Sequence, residues 1–165
     1  MFKTCLFLDV DGVANSVKDK DPDFMNPENL RILNELQEEI GFEAVLSSTW
    51  RLFFRIAEFN HKFKGWGSKF EVIDYTCRPY QLPDRDMGDG YLGYGGMSKR
   101  GHEIQTWLDE EELVPGKNCA ICILDDMGVE HFPGLSKYLV QTSMKTGLEE
   151  KHKKYVREVF AKQLK

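Results

Sequence analysis

The chain lacks an apolar run long enough to span a membrane, lacks a paired set of cysteine motifs and carries no excess of basic charge. Each shortage removes a class of function. Its hydrophobic stretches are broken well short of the ~20 residues needed to cross a bilayer. The N-terminal residues enter a strand-like apolar segment instead of a leader pattern. A soluble, cytoplasmic protein with no membrane partner is therefore expected. The net charge of −5 argues against a protein that coats nucleic acid, although a local basic groove is compatible with it. Of the four cysteines, Cys5, Cys119 and Cys122 sit in apolar strand-like runs, where a small thiol packs well. Cys119 and Cys122 have C-x-x-C spacing, but a strand points such a pair to opposite faces. No second pair, Cys77 included, completes a zinc site, so reduced, buried thiols are expected. No repeat, low-complexity tract or linker interrupts residues 1–165. At 165 residues and 41% hydrophobic content, the chain reads as one domain with a core of its own.

What is present is a series of short apolar runs that end in polar clusters. Residues 5–8 form the first, followed by Asp9-Val10-Asp11-Gly12. If the chain stays extended, Asp9 and Asp11 share one side, and Gly12 lets the backbone turn directly after them. Asp and Gly are also ordinary turn residues. Two crowded carboxylates repel each other, however, and hard oxygen ligands of this kind suit Mg²⁺. Residues 15–26 read as a loop. Asn26-Pro27 then caps a helix whose stripe is Leu30, Leu33, Leu36 and Ile40, stopped by Gly41. A second run, residues 42–46, ends in Ser47-Ser48-Thr49, with Trp50 and Arg51 opening a helix to about residue 60. These hydroxyls either cap that helix or, with its free N–H groups, hold an anionic oxygen.

Residues 70–76 resemble a third strand, and a polar, glycine-rich stretch follows. Gly88, Gly90 and Gly93 match G-x-G-x-x-G on paper. They neither follow a strand nor open a helix, which excludes a dinucleotide fingerprint and leaves a surface loop. Lys99 and Arg100 precede a helix carrying Ile104, Trp107, Leu108 and Leu113. Basic residues oppose the positive end of a helix, a placement that makes sense beside an anion. The most apolar run, residues 119–124, ends in Asp125-Asp126. A last strand at residues 138–140 leads to a capping box, Thr146 to Glu149, and a helix with Leu148, His152, Tyr155, Val159 and Phe160 inward. Its outer face is basic, with Lys151, Lys153, Lys154, Arg157, Lys162 and Lys165. Such a face is ordinarily solvated, and nucleic-acid contact is the alternative. His61, His102, His131 and His152 have no ligand spacing and receive no role.

Strands alternating with helices imply a central parallel sheet of about five strands in a three-layer, Rossmann-like α/β fold. In such a sheet the carboxyl ends of the strands share one edge, where ligands bind. Asp9, Asp11, Ser47, Asp125 and Asp126 would all meet there, with Lys99 or Arg100 at a helix start facing the same edge.

In this order the motifs resemble the haloacid dehalogenase-like (HAD) phosphohydrolase superfamily. The wording Val45-Leu46-Ser47-Ser48-Thr49-Trp50-Arg51, with Arg100-Gly101-His102-Glu103 and Leu124-Asp125-Asp126, is similar to its small capless branch in Swiss Army Knife RNA-repair proteins. The resemblance implies Mg²⁺-dependent phosphomonoester hydrolysis, with Asp9 as nucleophile and Asp11 as general acid and base. It implies metal ligation by Asp9, Asp11 (through its backbone carbonyl), Asp125 and Asp126. Ser47 and either Lys99 or Arg100 would stabilise the transferring oxygens. Ser48, Thr49 and Arg51, with Tyr91 and Tyr94, are candidates for substrate contact. No intervening segment is long enough for a full cap domain, and an open site suits a large phosphorylated substrate such as a nucleic-acid end; the alternative is that residues 60–98 act as a small lid. Small molecules and phosphoproteins are the other phosphorylated substrates in view. Two non-enzymatic readings stand beside these: a receiver-like phospho-acceptor, whose acidic pair and acceptor come in a different order, and a nucleic-acid-binding module using the last helix.

Overall fold

The structure is a computed structural model that describes residues 2–19, 24–76 and 99–164. Five strands, β1 (Lys3–Leu8), β2 (Glu43–Leu46), β3 (Val72–Tyr75), β4 (Cys119–Asp125) and β5 (Leu139–Gln141), alternate with four α-helices. The helices are α1 (Pro27–Ile40), α2 (Ile56–Gly65), α3 (Lys99–Glu110) and α4 (Glu150–Ala161). All strand pairs are parallel, in the order β3-β2-β1-β4-β5.

Strand alternation builds the two cores. Leu6 and Leu8 of β1, with Ala120, Cys122 and Leu124 of β4, face the layer that contains Leu30, Leu33 and Leu36 of α1, Phe59 and Phe63 of α2, and Val156 and Phe160 of α4. Cys5, Phe7, Cys119, Ile121 and Ile123 face Ile104, Trp107 and Leu108 of α3 and the apolar residues of the β4–β5 connection. The expected three-layer α/β fold is therefore present. The C-x-x-C thiols lie on opposite faces, and Cys5, Cys119 and Cys122 are buried and free. Cys77 lies outside the described residues, as do Tyr91, Tyr94 and the glycine-rich stretch. Among the described residues, no helix is long and apolar enough to cross a membrane.

Several element boundaries differ from the sequence reading. Trp50 and Arg51 do not open α2; they lie in a 3₁₀ turn, Thr49–Leu52, because both side chains are drawn to distant partners. The α-helix restarts after Arg55, whose backbone N–H donates to Glu58 Oε2 at 2.8 Å. Lys99 and Arg100 do not precede α3 but form its first turn. The last helix begins at Glu150, not Thr146. The Glu149 N–H donates to His152 Nδ1 at 2.8 Å, so His152 acts as a cap. The buried positions of α4 follow strict i, i+4 spacing through His152, Val156 and Phe160, which leaves Tyr155 exposed.

The sheet order puts a switch point between β1 and β4: the chain steps outward from β1 through β2 to β3, then returns to the other side of β1. Leu8 pairs with Leu124, so the ends of these two strands adjoin. The start of α3 is pressed onto the 3₁₀ turn after β4. A Cβ on Gly101 would lie 2.8 Å from Phe132 Cα and 3.0 Å from the His131 carbonyl oxygen. Only glycine permits that approach, which carries Arg100 to the switch point. Gly101→Val should destabilise the fold by about 1–3 kcal/mol through overpacking, measured as a lower urea midpoint with an unchanged m value.

Candidate active site

Asp9 leaves the end of β1 with its N–H bonded to the Leu124 carbonyl at 3.0 Å, so its side chain emerges beside β4. Asp125 ends β4, and Asp126 follows it. One carboxylate oxygen from each of Asp9, Asp125 and Asp126 lies within 4.8 Å of the others. Arg100 reaches in from the first turn of α3: one guanidinium nitrogen, Nη1, is 3.6 Å from Asp9 Oδ1, and Nε is 3.7 Å from Asp125 Oδ2. These are ion-pair distances, longer than hydrogen bonds.

Burial raises the Asp9 carboxyl from 3.8 to about 7; Arg100 opposes this, Asp125 adds to it, and a hydrogen bond with Ser48 opposes it further. Asp125 is also pushed up by burial, against the pull of Arg100 and of the Met127 N–H. Asp126 rises for the same first reason, with the Asp11 charge adding to it. Among the described residues, the buried oxygens Ser47 Oγ and Asp125 Oδ2, at the ends of β2 and β4, make no hydrogen bond. A native fold leaves few such atoms, and they mark places where a ligand supplies the missing partner. Three crowded carboxylates, one of whose buried oxygens has no hydrogen bond, fit a divalent cation of the Mg²⁺ type.

Asp11 takes a different course. Gly12, at φ +76°, turns the chain sharply, and a Cβ there would lie 2.7 Å from Asp126 Cβ. Thr142 donates to the Gly12 carbonyl at 2.6 Å, and Asn15 Oδ1 accepts the Gly12 N–H, fixing the turn. The Asp11 carboxylate accepts from Asn15 Nδ2 at 2.8 Å and from Trp50 Nε1 at 3.0 Å. It is not among the three clustered carboxylates. The extended geometry that would place it beside Asp9 ends at Leu8.

The other expected site residues separate into groups. The Ser48 hydroxyl interacts with Asp9 and accepts from the Trp50 N–H at 3.4 Å, capping the 3₁₀ turn as well. Thr49 opens that turn, half-buried. Arg51 is buried, donating to the Ser48 carbonyl at 2.8 Å and to Glu103 Oε1 of α3 at 2.8 Å. Contact with a substrate would require breaking that pair. The Lys99 side chain lies outside the described residues, so the geometry speaks only for Arg100. On the basic face of α4, Lys153 bridges Glu35 and Glu150, and Arg157 pairs twice with Glu39 of α1.

Sequence reasoning missed Asn15, Trp50, Glu103 and Thr142. Only Glu103 left a trace, as a charged residue in the apolar phase of α3 beside Ile104 and one turn before Trp107.

With this geometry in place, the comparisons become informative. The family model described as the HAD domain in Swiss Army Knife RNA repair proteins matches residues 5–153. No curated protein and no solved structure matches.

The raised Asp9 value fixes the sign of a pH effect. A carboxyl whose folded value exceeds its unfolded one contributes stability below about 3.8, and that contribution is lost as the pH rises through about 7. Chelator-treated protein should therefore lose thermal stability between about pH 4 and pH 7 from this group. Millimolar Mg²⁺ should raise Tm clearly at the upper pH and little at the lower, as followed by circular dichroism melts. Asp125→Asn should abolish most of that Mg²⁺ response.

Proposed function

Because the chain belongs to the HAD domain family of Swiss Army Knife RNA repair proteins, we propose that it is a Mg²⁺-dependent phosphomonoester hydrolase. The reaction passes through an aspartyl-phosphate on Asp9. The observation that carries this reading is the convergence of Asp9, Asp125 and Asp126 with Arg100 between two of them.

Asp9, Asp125 and Asp126 would hold the ion, together with the Asp11 backbone carbonyl. When bound, Mg²⁺ supplies a positive charge that screens the carboxylates from an approaching phosphate. An Asp9 carboxylate oxygen attacks phosphorus and the ester P–O bond breaks. The leaving oxygen takes its proton from Asp11. In the second half, Asp11 takes a proton from water, the resulting hydroxide attacks phosphorus, and the bond to Asp9 breaks to release phosphate. The Asp11 carboxylate is held for both steps by Trp50 and Asn15. Arg100 and the Ser47 and Ser48 hydroxyls stabilise charge on the transferring oxygens. A proton donor for the leaving group suits phosphoryl transfer, since a carbon–halogen bond needs none.

For the substrate we favour a phosphorylated nucleic-acid end. Two facts support it: the family is defined in RNA repair proteins, and no segment between the motifs is long enough for a full cap that would close the site to a polymer. The paired charges of α4 make that helix a poor candidate for the contact, and the loops at the sheet edge a better one.

With Mg²⁺ and p-nitrophenyl phosphate, Asp9→Asn should abolish turnover with the fold intact by circular dichroism. Undiminished hydrolysis in that variant refutes the reading. Asp11→Asn should lower kcat by about 10²–10⁴-fold on an alkyl phosphate, whose leaving group needs the proton. The substrate proposal is tested by comparing kcat/KM on phosphorylated oligonucleotide ends, mononucleotides, sugar phosphates and phosphotyrosine peptides. A clear preference for either of the last two overturns it.

A further inference from the structure

Arg51 and Glu103 form an ion pair at 2.8 Å, with side chains only 2% and 6% exposed. Burying two charges is costly, and a pair of apolar residues of similar size generally serves stability as well or better. The location of this pair suggests what it does instead. Arg51 Nη1 donates to the carbonyl of Ser48, the residue whose hydroxyl interacts with Asp9. Glu103 lies on α3 three residues after Arg100, hence on the same face one turn along. The guanidinium thus joins the loop after β2 to the helix that delivers Arg100 between Asp9 and Asp125. The loop follows β2, whereas α3 is the crossover from β3 to β4, and no ladder pairing joins the two.

We propose that the Arg51–Glu103 pair is a positioning device for catalysis: it fixes the Arg100 guanidinium and the Ser48 hydroxyl relative to one another across the nucleophile. This inference rests on the phosphatase reading above. Arg51 is then not a substrate contact. Its planar fork is needed because it must satisfy a carbonyl and a carboxylate in different directions at once, which an ammonium group does less rigidly. A shift of either partner by about 1 Å is enough to slow phosphoryl transfer by about a hundredfold. The loss falls on kcat, because Arg100 and Ser48 act on charge that develops in the transition state.

The test separates positioning from stability. The double variant Arg51→Met/Glu103→Leu removes both charges and leaves neither unpaired, although the Ser48 carbonyl loses its donor, so its Tm should fall by no more than a few degrees. With Mg²⁺ and p-nitrophenyl phosphate, its kcat should fall by about a hundredfold while KM changes by less than about threefold. Should that variant not fold, Arg51→Lys, which keeps the charge but loses the planar fork that reaches both the Ser48 carbonyl and Glu103, is judged by the same kcat criterion. A folded variant whose kcat stays within about threefold of wild type makes the pair purely structural and overturns the inference. Wild-type protein that hydrolyses nothing refutes the phosphatase reading and this inference together. Active wild type with equally active variants removes only the inference.

Discussion

Three carboxylates held within 4.8 Å of one another, two of them buried, are unstable unless positive charge is nearby. That repulsion is the constraint to which the switch-point end of the sheet answers. Arg100 meets part of it, and burial raises all three acids toward protonation to meet more. A divalent cation would complete the balance. The fold accepts this cost at the meeting point of β1 and β4, where the backbone is held on both sides by parallel ladders and cannot relax away.

The flanking strands β2, β3 and β5 are only three or four residues long, and side-chain amides pair with backbone groups that these short ladders leave over. Asn60 of α2 pairs with both the N–H and the carbonyl of Val72 on edge strand β3. Gln163, just beyond α4, does the same for Ile121 of β4, where β5 does not reach. Asn34 of α1 joins the Gly67 carbonyl and the Lys69 N–H. Each satisfies backbone groups that would otherwise lack a partner. Each also pins a helix or its end to the sheet or its flanking turn, which steadies the loops at the far edge.

Close backbone approach does the remaining work. Gly12 brings the turn after β1 against Asp126, and Gly101 brings α3 against the turn after β4. Gly147 lies where a Cβ would sit 2.1 Å from Asn29 Nδ2 and 2.9 Å from the Val13 carbonyl oxygen, so the entry to α4 locks the loop that follows the acids. Thr142, one residue past β5, ties that same loop down from the opposite side of the sheet edge. All four contacts join segments that adjoin the strands' carboxyl ends, and together they keep the acidic edge from opening.

The sequence by itself determined the element types and the strand-end acids of the candidate site. Apolar runs such as residues 119–124 and the Asn26-Pro27 start of α1 are local signals, set by strand and helix periods a few residues long. The placing of acids at strand ends was legible for the same reason, and Asp9, Asp125 and Asp126 do converge. Only the tertiary structure decided that Asp11 turns to Trp50, that Arg51 spends its charge on Glu103, and that Arg100 lies between Asp9 and Asp125. The first two contacts span 39 and 52 positions. A hydrogen bond across such a gap exists only once the strand order has brought the two segments side by side, and no local pattern encodes which side chain will be waiting there.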